Sequence, residues 1–309
     1  MTKEKIRIAT FNCENLFLRF KFTENIKRNQ KKLNNIIQNG FIIDKKYVTR
    51  LVEAEKKLTA QAIRATNADI IALQEVENMD ALKKFNTDYL KTAGYTYKML
   101  IDANDPRLID VALLSRIPID SVVSHQHLKN GSRTVFSRDC LEVRFLLGKN
   151  KTPLTLFINH FKSMIGGRTQ TQLRRKQQSE AVVTILKNRF GNNPGGKNWI
   201  VLGDLNDYLP SNALQPLVDN PWIENVIERI PDINQRWTHW WDKENQYRQL
   251  DYLLLSRSLA HKNINAIPEI VRNGLAKNAT KYTGARFPGI GKTKPSASDH
   301  CPVVIELEV

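Results

Sequence analysis

Two β-sheets packed face to face, with helices on their outer sides, are the fold that this sequence predicts. Many short apolar runs are rich in Val, Ile, Leu and Phe and are bounded by Gly, Pro, Asn or Asp, which is typical of strands. These runs mostly follow one another and do not alternate strictly with helices, which favours packed sheets over a βα repeat. One run places Leu141, Val143 and Phe145 on one face and Glu142 and Arg144 on the other, as in a half-buried antiparallel strand.

The strand-like runs extend from one end of the chain to the other, and most finish in polar residues. In order they read KIRIATFN, DIIALQE, DVALLSR, CLEVRFLL, LTLFINH, WIVLGDLN, QLDYLLLS and CPVVIELEV. The run that ends in GDLND carries Asp204 to the end of an apolar segment, where a buried carboxylate is costly unless something compensates it. Asp204 therefore requires a cation, a hydrogen-bond network or water beside it.

Two segments between these runs have the spacing of helices. Residues 47–66 place apolar side chains at near-helical intervals, and residues 171–190 do the same. The second segment is followed by Gly191, a common residue at the end of a helix. We therefore predict helices over both segments, on the outer sides of the sheets.

The chain is predicted to form a single domain over residues 1–309, because no segment has the composition of an interdomain linker. A basic insert at about residues 20–50 is interpreted as a solvated helix, with a clamp for a polyanion as the alternative. Residues 272–298 are rich in Lys, Gly, Ser and Pro and are predicted to form a long loop, a type of segment that is often functional.

The charge favours a polyanionic partner. Lys and Arg total 47 against 31 acidic residues, which gives a net charge of +16, and nucleic acid or an anionic membrane surface would be attracted to such a chain.

Three cysteines, Cys13, Cys140 and Cys301, have neither a pairing pattern nor metal-ligand spacing, and we interpret them as small core residues. Without a disulfide framework, a signal-like N-terminus or a membrane-length apolar run, we expect a cytoplasmic monomer, or a secreted protein if a leader has been removed.

Polar side chains recur at or just beyond the ends of the apolar runs. If the runs enter two facing sheets, these side chains can meet at one edge and form a single site. Any one of them alone is weak evidence, since a single Asp after a strand is usually a turn residue. The candidates are Asn12, Glu75, Arg138, Asn159, His160, Asp204, Asn206, Asp251, Asp299 and His300.

The motifs LQEVEN, GDLND and SDHCPV occur in that order, together with TFNCENLF and QLDYLLLS. This set resembles the endonuclease/exonuclease/phosphatase family over nearly the whole chain. The resemblance implies an α/β fold of four layers, an α/β/β/α sandwich of two mostly antiparallel sheets, with the site at one edge. LQEVEN and INHFKS are most similar to bacterial nucleases within the family.

The resemblance also implies a metal site. Glu75, helped by Asn12, resembles the principal Mg²⁺ ligand of the family, and Asp299 resembles an additional acidic position at the metal. Such oxygen ligands suit a hard cation that keeps several waters, and Mn²⁺ is the other candidate ion. Whether one ion or two would bind stays open.

The remaining candidates resemble catalytic and phosphate-binding positions. Asp204 resembles the residue that orients or deprotonates the attacking water, and Asn206 resembles a phosphate contact. His300 resembles the imidazole beside the scissile phosphate, and Asp251 resembles the carboxylate that fixes its tautomer. His160 resembles a second histidine of deoxyribonuclease-like members. Arg138 resembles their phosphate-binding arginine, with a surface ion pair as the alternative, and we expect Asn159 to join it at the phosphate.

The sequence thus predicts a phosphodiesterase dependent on Mg²⁺ or Mn²⁺ that hydrolyses nucleic acid, with DNA ahead of RNA, at low sequence specificity. The alternative within the family is a phospholipid or inositol-phosphate phosphohydrolase, since the same core serves those substrates. A nucleic-acid-binding protein with an inactive site is the third reading. A base, a His–Asp pair and a metal ligand together argue against it, because binding alone requires none of them.

Overall fold

The protein is described by a computed structural model that covers residues 5–18, 20–22, 48–50, 53–107 and 109–309. The helices in these residues are α1 (Glu53–Thr66), α2 (Met79–Tyr89), α3 (Arg168–Phe190), α4 (Gln215–Val218) and α5 (Arg257–Lys262). The strands are β1 (Lys5–Leu16), β2 (Phe20–Phe22), β3 (Val48–Arg50), β4 (Ile70–Val76), β5 (Tyr97–Leu100), β6 (Asp110–Ser115), β7 (Ile119–Ser124), β8 (Lys129–Asn130), β9 (Arg133–Thr134), β10 (Cys140–Leu147), β11 (Thr152–His160), β12 (Trp199–Asp204), β13 (Ile223–Asn225), β14 (His239–Trp241), β15 (Gln246–Arg248), β16 (Asp251–Ser256), β17 (Glu269–Ile270) and β18 (Val303–Glu308).

Two six-stranded sheets form the centre of the molecule. The first has the strand order β17-β18-β1-β4-β6-β5, and the second has the order β13-β16-β12-β11-β10-β7. The pairs β1–β4 and β11–β12 are parallel, and the other pairs in the two sheets are antiparallel. The predicted mostly antiparallel sheets are therefore confirmed.

Three apolar layers separate the sheets and helices. The largest lies between the two sheets and contains Ile8 and Ile70 of the first sheet and Leu156 and Leu202 of the second. A second layer packs the outer face of the first sheet against α1 and α2, and a third packs the outer face of the second sheet against α3. The order helix, sheet, sheet, helix confirms the four-layer sandwich.

Both predicted helices are present, and their ends agree with the prediction to different extents. Helix α3 ends at Phe190, and the backbone N–H of Gly191 bonds the carbonyl of Lys187, as expected for a glycine stop. The first helix is shorter than predicted, since α1 begins at Glu53 and residues 48–50 form β3.

The other expected features of the chain have mixed outcomes. Most of the basic insert at 20–50 lies outside the described residues. Residues 272–298 contain neither helix nor strand, as predicted for the long loop. All three cysteines are buried and unpaired. None of the helices in the described part of the chain combines the length and apolarity needed to cross a bilayer.

Candidate active site at the edge of the two sheets

Strand ends from both sheets meet at one edge. The carboxyl ends of β1, β4, β11 and β12 lie there, together with the amino ends of β16 and β18, which run antiparallel to β12 and β1. The register pairs Asp204 with His160 on one side and with Asp251 on the other. Since side chains alternate along a strand, these three residues share the face of the apolar layer between the sheets.

Asp204 is the centre of a hydrogen-bond network. Its Oδ2 accepts from the Nδ2 groups of Asn12 and Asn206, each at 3.0 Å, and its Oδ1 accepts from the backbone N–H of Asn206 at 2.8 Å. The Nε2 atoms of His160 and His300 lie 3.5 and 3.8 Å from Oδ2. Burial raises the pKa of Asp204 to about 7, although the positive charge of His300 opposes the shift. A carboxylate with this pKa can accept a proton near neutral pH.

The residue before Asp204 must be a glycine. Gly203 has φ +131°, and a Cβ at this position would overlap the backbone carbonyl of Asn159 on the neighbouring strand β11. Asn206 lies in the left-handed region, with φ 53°, so the chain is not extended beyond β12. The Asn206 amide nevertheless contacts Asp204, because the backbone turns back toward the site.

His300 and Asp251 form the predicted pair. His300 Nδ1 lies 2.8 Å from Asp251 Oδ2, and the Thr238 hydroxyl donates to the same oxygen at 2.7 Å. The Thr238 oxygen in turn accepts from the backbone N–H groups of Leu250 and Asp251, which fixes the carboxylate. Burial lowers the pKa of His300, but the charges of Asp251 and Asp204 outweigh it and hold this pKa well above its usual range. The imidazole is therefore protonated and can donate from Nε2.

Glu75 reaches the site through an irregularity in β4. The β4–β6 register shifts between Leu73 and Val76, and Glu75 has φ 63°. Such a bulge re-aims a side chain that would otherwise follow the alternation of the strand. Glu75 Oε1 lies 3.9 Å from His160 Nε2, and Oε2 accepts from the backbone N–H of Asn15 at 3.1 Å.

Three carboxylates influence one another at the predicted metal position. Burial, and after it the charge of Asp299, raises the pKa of Glu75. The same two causes raise the pKa of Glu14 to about 7, although the charge of Lys294 lowers the pKa of Glu14 in part. Asn12 Oδ1 accepts from the backbone N–H of Glu14 at 3.0 Å and so joins this group. Carboxylate and amide oxygens are the ligand type that a hard divalent cation prefers, and its charge would offset the repulsion between the carboxylates.

Asp299 also has a histidine neighbour that sequence reasoning missed. His239 Nε2 lies 3.6 Å from Asp299 Oδ2, and the rings of His239 and His300 are 4.5 Å apart. Ligand atoms of His239, Asp299 and His300 all lie within 4.8 Å of one another. Burial alone raises the pKa of Asp299, but the hydrogen bond from His239 and the charge of His300 hold it below its usual range. Asp299 is therefore ionised, as a metal ligand must be.

His160 and Arg138 line the second-sheet side of the site. Burial and then the charge of Arg138 hold the pKa of His160 well below its usual range, so this imidazole is neutral. Arg138 Nε lies 2.9 Å from Asp105 Oδ2, and Nη1 donates to the carbonyl of Phe161 at 2.8 Å. The same carbonyl accepts from Asn206 Nδ2 at 3.1 Å. Arg138 is only 2% exposed, so the ion pair considered above is present but is buried and not at the surface.

Two residues near the motifs point away from the site. Asn159 is fully buried on the helix-facing side of its sheet, since it alternates with His160, and its Nδ2 donates to the carbonyl of Phe157. This placement does not favour the predicted phosphate contact. Asp207, which the sequence alone suggests is a turn residue that points away from the site, accepts from Arg168 Nε at 2.6 Å and Arg175 Nε at 2.9 Å and anchors α3.

Sequence reasoning missed four residues at or around the site, and it had little signal for them. Glu14 lies within the TFNCENLF motif, but its left-handed backbone, with φ 47°, is not readable from the letters. His239 and Thr238 follow Trp237 in a segment without strand or helix periodicity. Asp105 precedes Pro106 and reads as a turn residue.

The fold and the site together define a phosphoesterase, a hydrolytic enzyme of phosphate esters. Residues 7–309 match the profile of the Endonuclease/Exonuclease/phosphatase family, and the chain belongs to that family. The resemblance drawn from the motifs is thereby confirmed. No curated protein matches the sequence significantly.

Solved structures with the same fold come from distant relatives. Truncated TDP2 of Caenorhabditis elegans is similar at 13% identity with a TM-score of 0.61, covering 99% of this chain and 98% of that one. The human Nocturnin catalytic domain with bound sulfate is similar at 15% identity, a TM-score of 0.61 and coverages of 98% and 93%. The Bacteroides thetaiotaomicron mannosyl-6-phosphatase is similar at 15% identity, a TM-score of 0.60 and coverages of 98% and 99%. At these identities the likeness concerns the fold.

Proposed function

We propose that this enzyme is a divalent-metal-dependent phosphodiesterase that hydrolyses the nucleic-acid backbone, with DNA as the preferred substrate. The observation that carries the proposal is the placement of Asp204, with a pKa of about 7, between a neutral His160 and a protonated His300. This arrangement supplies a proton acceptor and a proton donor, the two groups that hydrolysis by water uses, with His300 Nε2 3.8 Å from Asp204 Oδ2. The net charge of +16 supports a polyanionic substrate over a neutral one.

The residues divide the reaction between them. Asp204 accepts the proton of the attacking water as the new P–O bond forms. His300, held by Asp251, keeps a proton at Nε2 that neutralises a phosphate oxygen or passes to the leaving oxygen as the old P–O bond breaks. Arg138 is the charged group that would hold a phosphate oxygen. A Mg²⁺ or Mn²⁺ ion bound by Glu75, Asp299 and Asn12, with Glu14 beside it, would neutralise charge on the phosphate.

The proposal is tested by the substrate range. Supercoiled plasmid, abasic duplex, RNA, sphingomyelin, an inositol phosphate and mannose 6-phosphate are each assayed with Mg²⁺ and with chelator. We expect metal-dependent cleavage of the plasmid and little turnover of the lipid and sugar phosphates. Preferential hydrolysis of a sugar phosphate or a lipid, or hydrolysis insensitive to chelator, would overturn the proposal.

The role of Asp204 is tested by an isosteric change. Asp204→Asn removes the proton acceptor while keeping the shape, so turnover of plasmid should fall by about 10²–10⁴-fold with binding retained. Asp219→Asn is the matched control, because Asp219 is exposed and lies outside the site. Parental turnover in the Asp204 variant would remove the proton acceptor from the scheme.

A further inference from the structure

Arg248, whose side chain has no hydrogen-bond partner in the described part of the chain, pairs through its backbone with His239 of this site. Arg248 ends β15, three residues before Asp251. Within the described residues its guanidinium has no carboxylate or carbonyl acceptor, and it lies on the ring of Tyr208, with Cζ 4.1 Å from the ring centroid. An arginine near a catalytic site whose N–H donors are all free is a candidate for binding an anionic ligand.

A second arginine, Arg168, stacks on the same Tyr208 ring but has a structural role. The guanidinium of Arg168 lies 3.8 Å from the Tyr208 centroid, but its donors are occupied. They bond Asp207 at 2.6 Å and the carbonyls of Tyr208 and Pro210 at 2.6 and 2.8 Å. Arg168 therefore holds the loop after β12, whereas the Arg248 side chain stacks on Tyr208 but forms no hydrogen bond with the described residues.

The position of Arg248 is fixed relative to the catalytic residues. Its carbonyl accepts from the backbone N–H of Thr238 at 3.0 Å, and Thr238 holds Asp251. On the other side, Tyr208 lies two residues beyond Asn206, so their Cα atoms are at most about 8 Å apart. Arg248 is thus tied through two elements to the residues of the site, and its guanidinium lies on Tyr208 and not on any of them.

We propose that Arg248 binds a second phosphate of the substrate, the phosphodiester adjacent to the one that is cleaved. This inference rests on the proposed function and names the feature that would favour a polynucleotide over an ester with one phosphate. A planar guanidinium can bind phosphate through two parallel N–H donors. Stacking on Tyr208 holds the fork in place before binding, and the charge of Arg168 on the same ring strengthens the local positive potential. A substrate with a single phosphate fills the catalytic centre and leaves Arg248 unused.

The experiment compares a short oligodeoxynucleotide with thymidine 5′-(p-nitrophenyl phosphate), which has one phosphate. For Arg248→Ala we expect kcat/KM on the oligonucleotide to fall by about tenfold or more, mainly through KM, with less than about a twofold change on the small ester. Arg248→Lys keeps the charge without the fork and should fall in between. Arg257→Ala is the matched control, because Arg257 is an exposed arginine at the far end of β16.

Two kinetic outcomes would overturn the inference. Equal losses on both substrates would mean that Arg248 supports the catalytic centre itself, and unchanged kinetics on both would mean that it contacts no substrate.

A measurement of oligonucleotide binding separates this inference from the proposed function. In the Asp204→Asn background, fluorescence anisotropy with the oligonucleotide should show weaker binding when Arg248→Ala is added, even if the parent hydrolyses only other phosphoesters. Unchanged anisotropy would also reject the role of Arg248.

Discussion

Asp251 acts on the site through its effect on His300. The two side chains are 2.8 Å apart and buried, so the carboxylate charge is felt at the imidazole with little screening by water. Thr238 fixes the carboxylate by donating to the same oxygen that faces the imidazole. The protonation state of His300 is therefore set largely by the charge of Asp251.

Replacing Asp251 should change the charge of His300. Asp251→Asn removes the main negative charge that raises the pKa of His300, so this pKa falls, and less of the imidazole is protonated at neutral pH. The alkaline limb of the pH–rate profile should move to lower pH, and turnover should fall by about 10²–10⁴-fold. An NMR titration of the His300 ring measures the shift directly. An alkaline limb that stays in place would contradict the coupling.

Glu14 should make the metal-free protein less stable as the pH rises. Its pKa in the folded protein is raised from 4.5 to about 7, so folding favours its protonated form and this contribution is lost between these pH values. Glu14→Gln should therefore flatten the fall of the unfolding temperature over this range in the presence of chelator. Glu180→Gln, an exposed change on α3, is the control and should keep the parental slope. A parental slope in the Glu14 variant would exclude this effect.

At the scale of the elements, the contact between Gly203 and Asn159 decides how closely β11 and β12 approach. Gly203 sits where any side chain would meet the backbone of Asn159. His160 and Asp204 are the residues paired directly beyond this contact. The distance between them therefore depends on the absence of a Cβ one residue earlier.

Gly203→Ala should destabilise the protein by roughly 3 kcal/mol, because the strained backbone and the overlap with a carbonyl add together. Gly131→Ala is the matched control, since Gly131 also has positive φ, +61°, but no atom lies within 4 Å of its added Cβ. The control should cost about 1 kcal/mol from backbone strain alone. Chemical denaturation measures both values, and equal losses would show that the contact with β11 is unimportant.

The arrangement of the strands also explains which residues of the site could be predicted from the sequence. A change from apolar to polar residues marks the end of a strand, which is why Asp204, Asp251 and His300 could be predicted. The letters do not say which of two adjacent polar residues faces the other sheet, and Asn159 and His160 differ in just this way. The bulge at Glu75 and the arginine partners of Asp207 depend on contacts between distant segments, so no local pattern encodes them.

At the scale of the whole molecule, the excess of positive charge acts over longer distances than any single contact. If the substrate is a polyanion, binding releases condensed counterions and weakens as salt rises. A small ester with one phosphate displaces few ions. The logarithm of the binding constant for DNA should therefore fall linearly with the logarithm of salt concentration, while KM for thymidine 5′-(p-nitrophenyl phosphate) should change little. The same salt response for both substrates would argue against a nucleic-acid substrate.

The three buried cysteines offer a natural reporter of how the molecule opens. Cys13 lies in the layer under α1 and α2, Cys140 in the layer under α3, and Cys301 in a small cluster with Trp237. Burial raises the pKa of all three thiols, so none is a reactive thiolate while its layer stays closed. Rates of alkylation at each thiol, resolved by mass spectrometry, would then report the separate loosening of three regions without any engineered label.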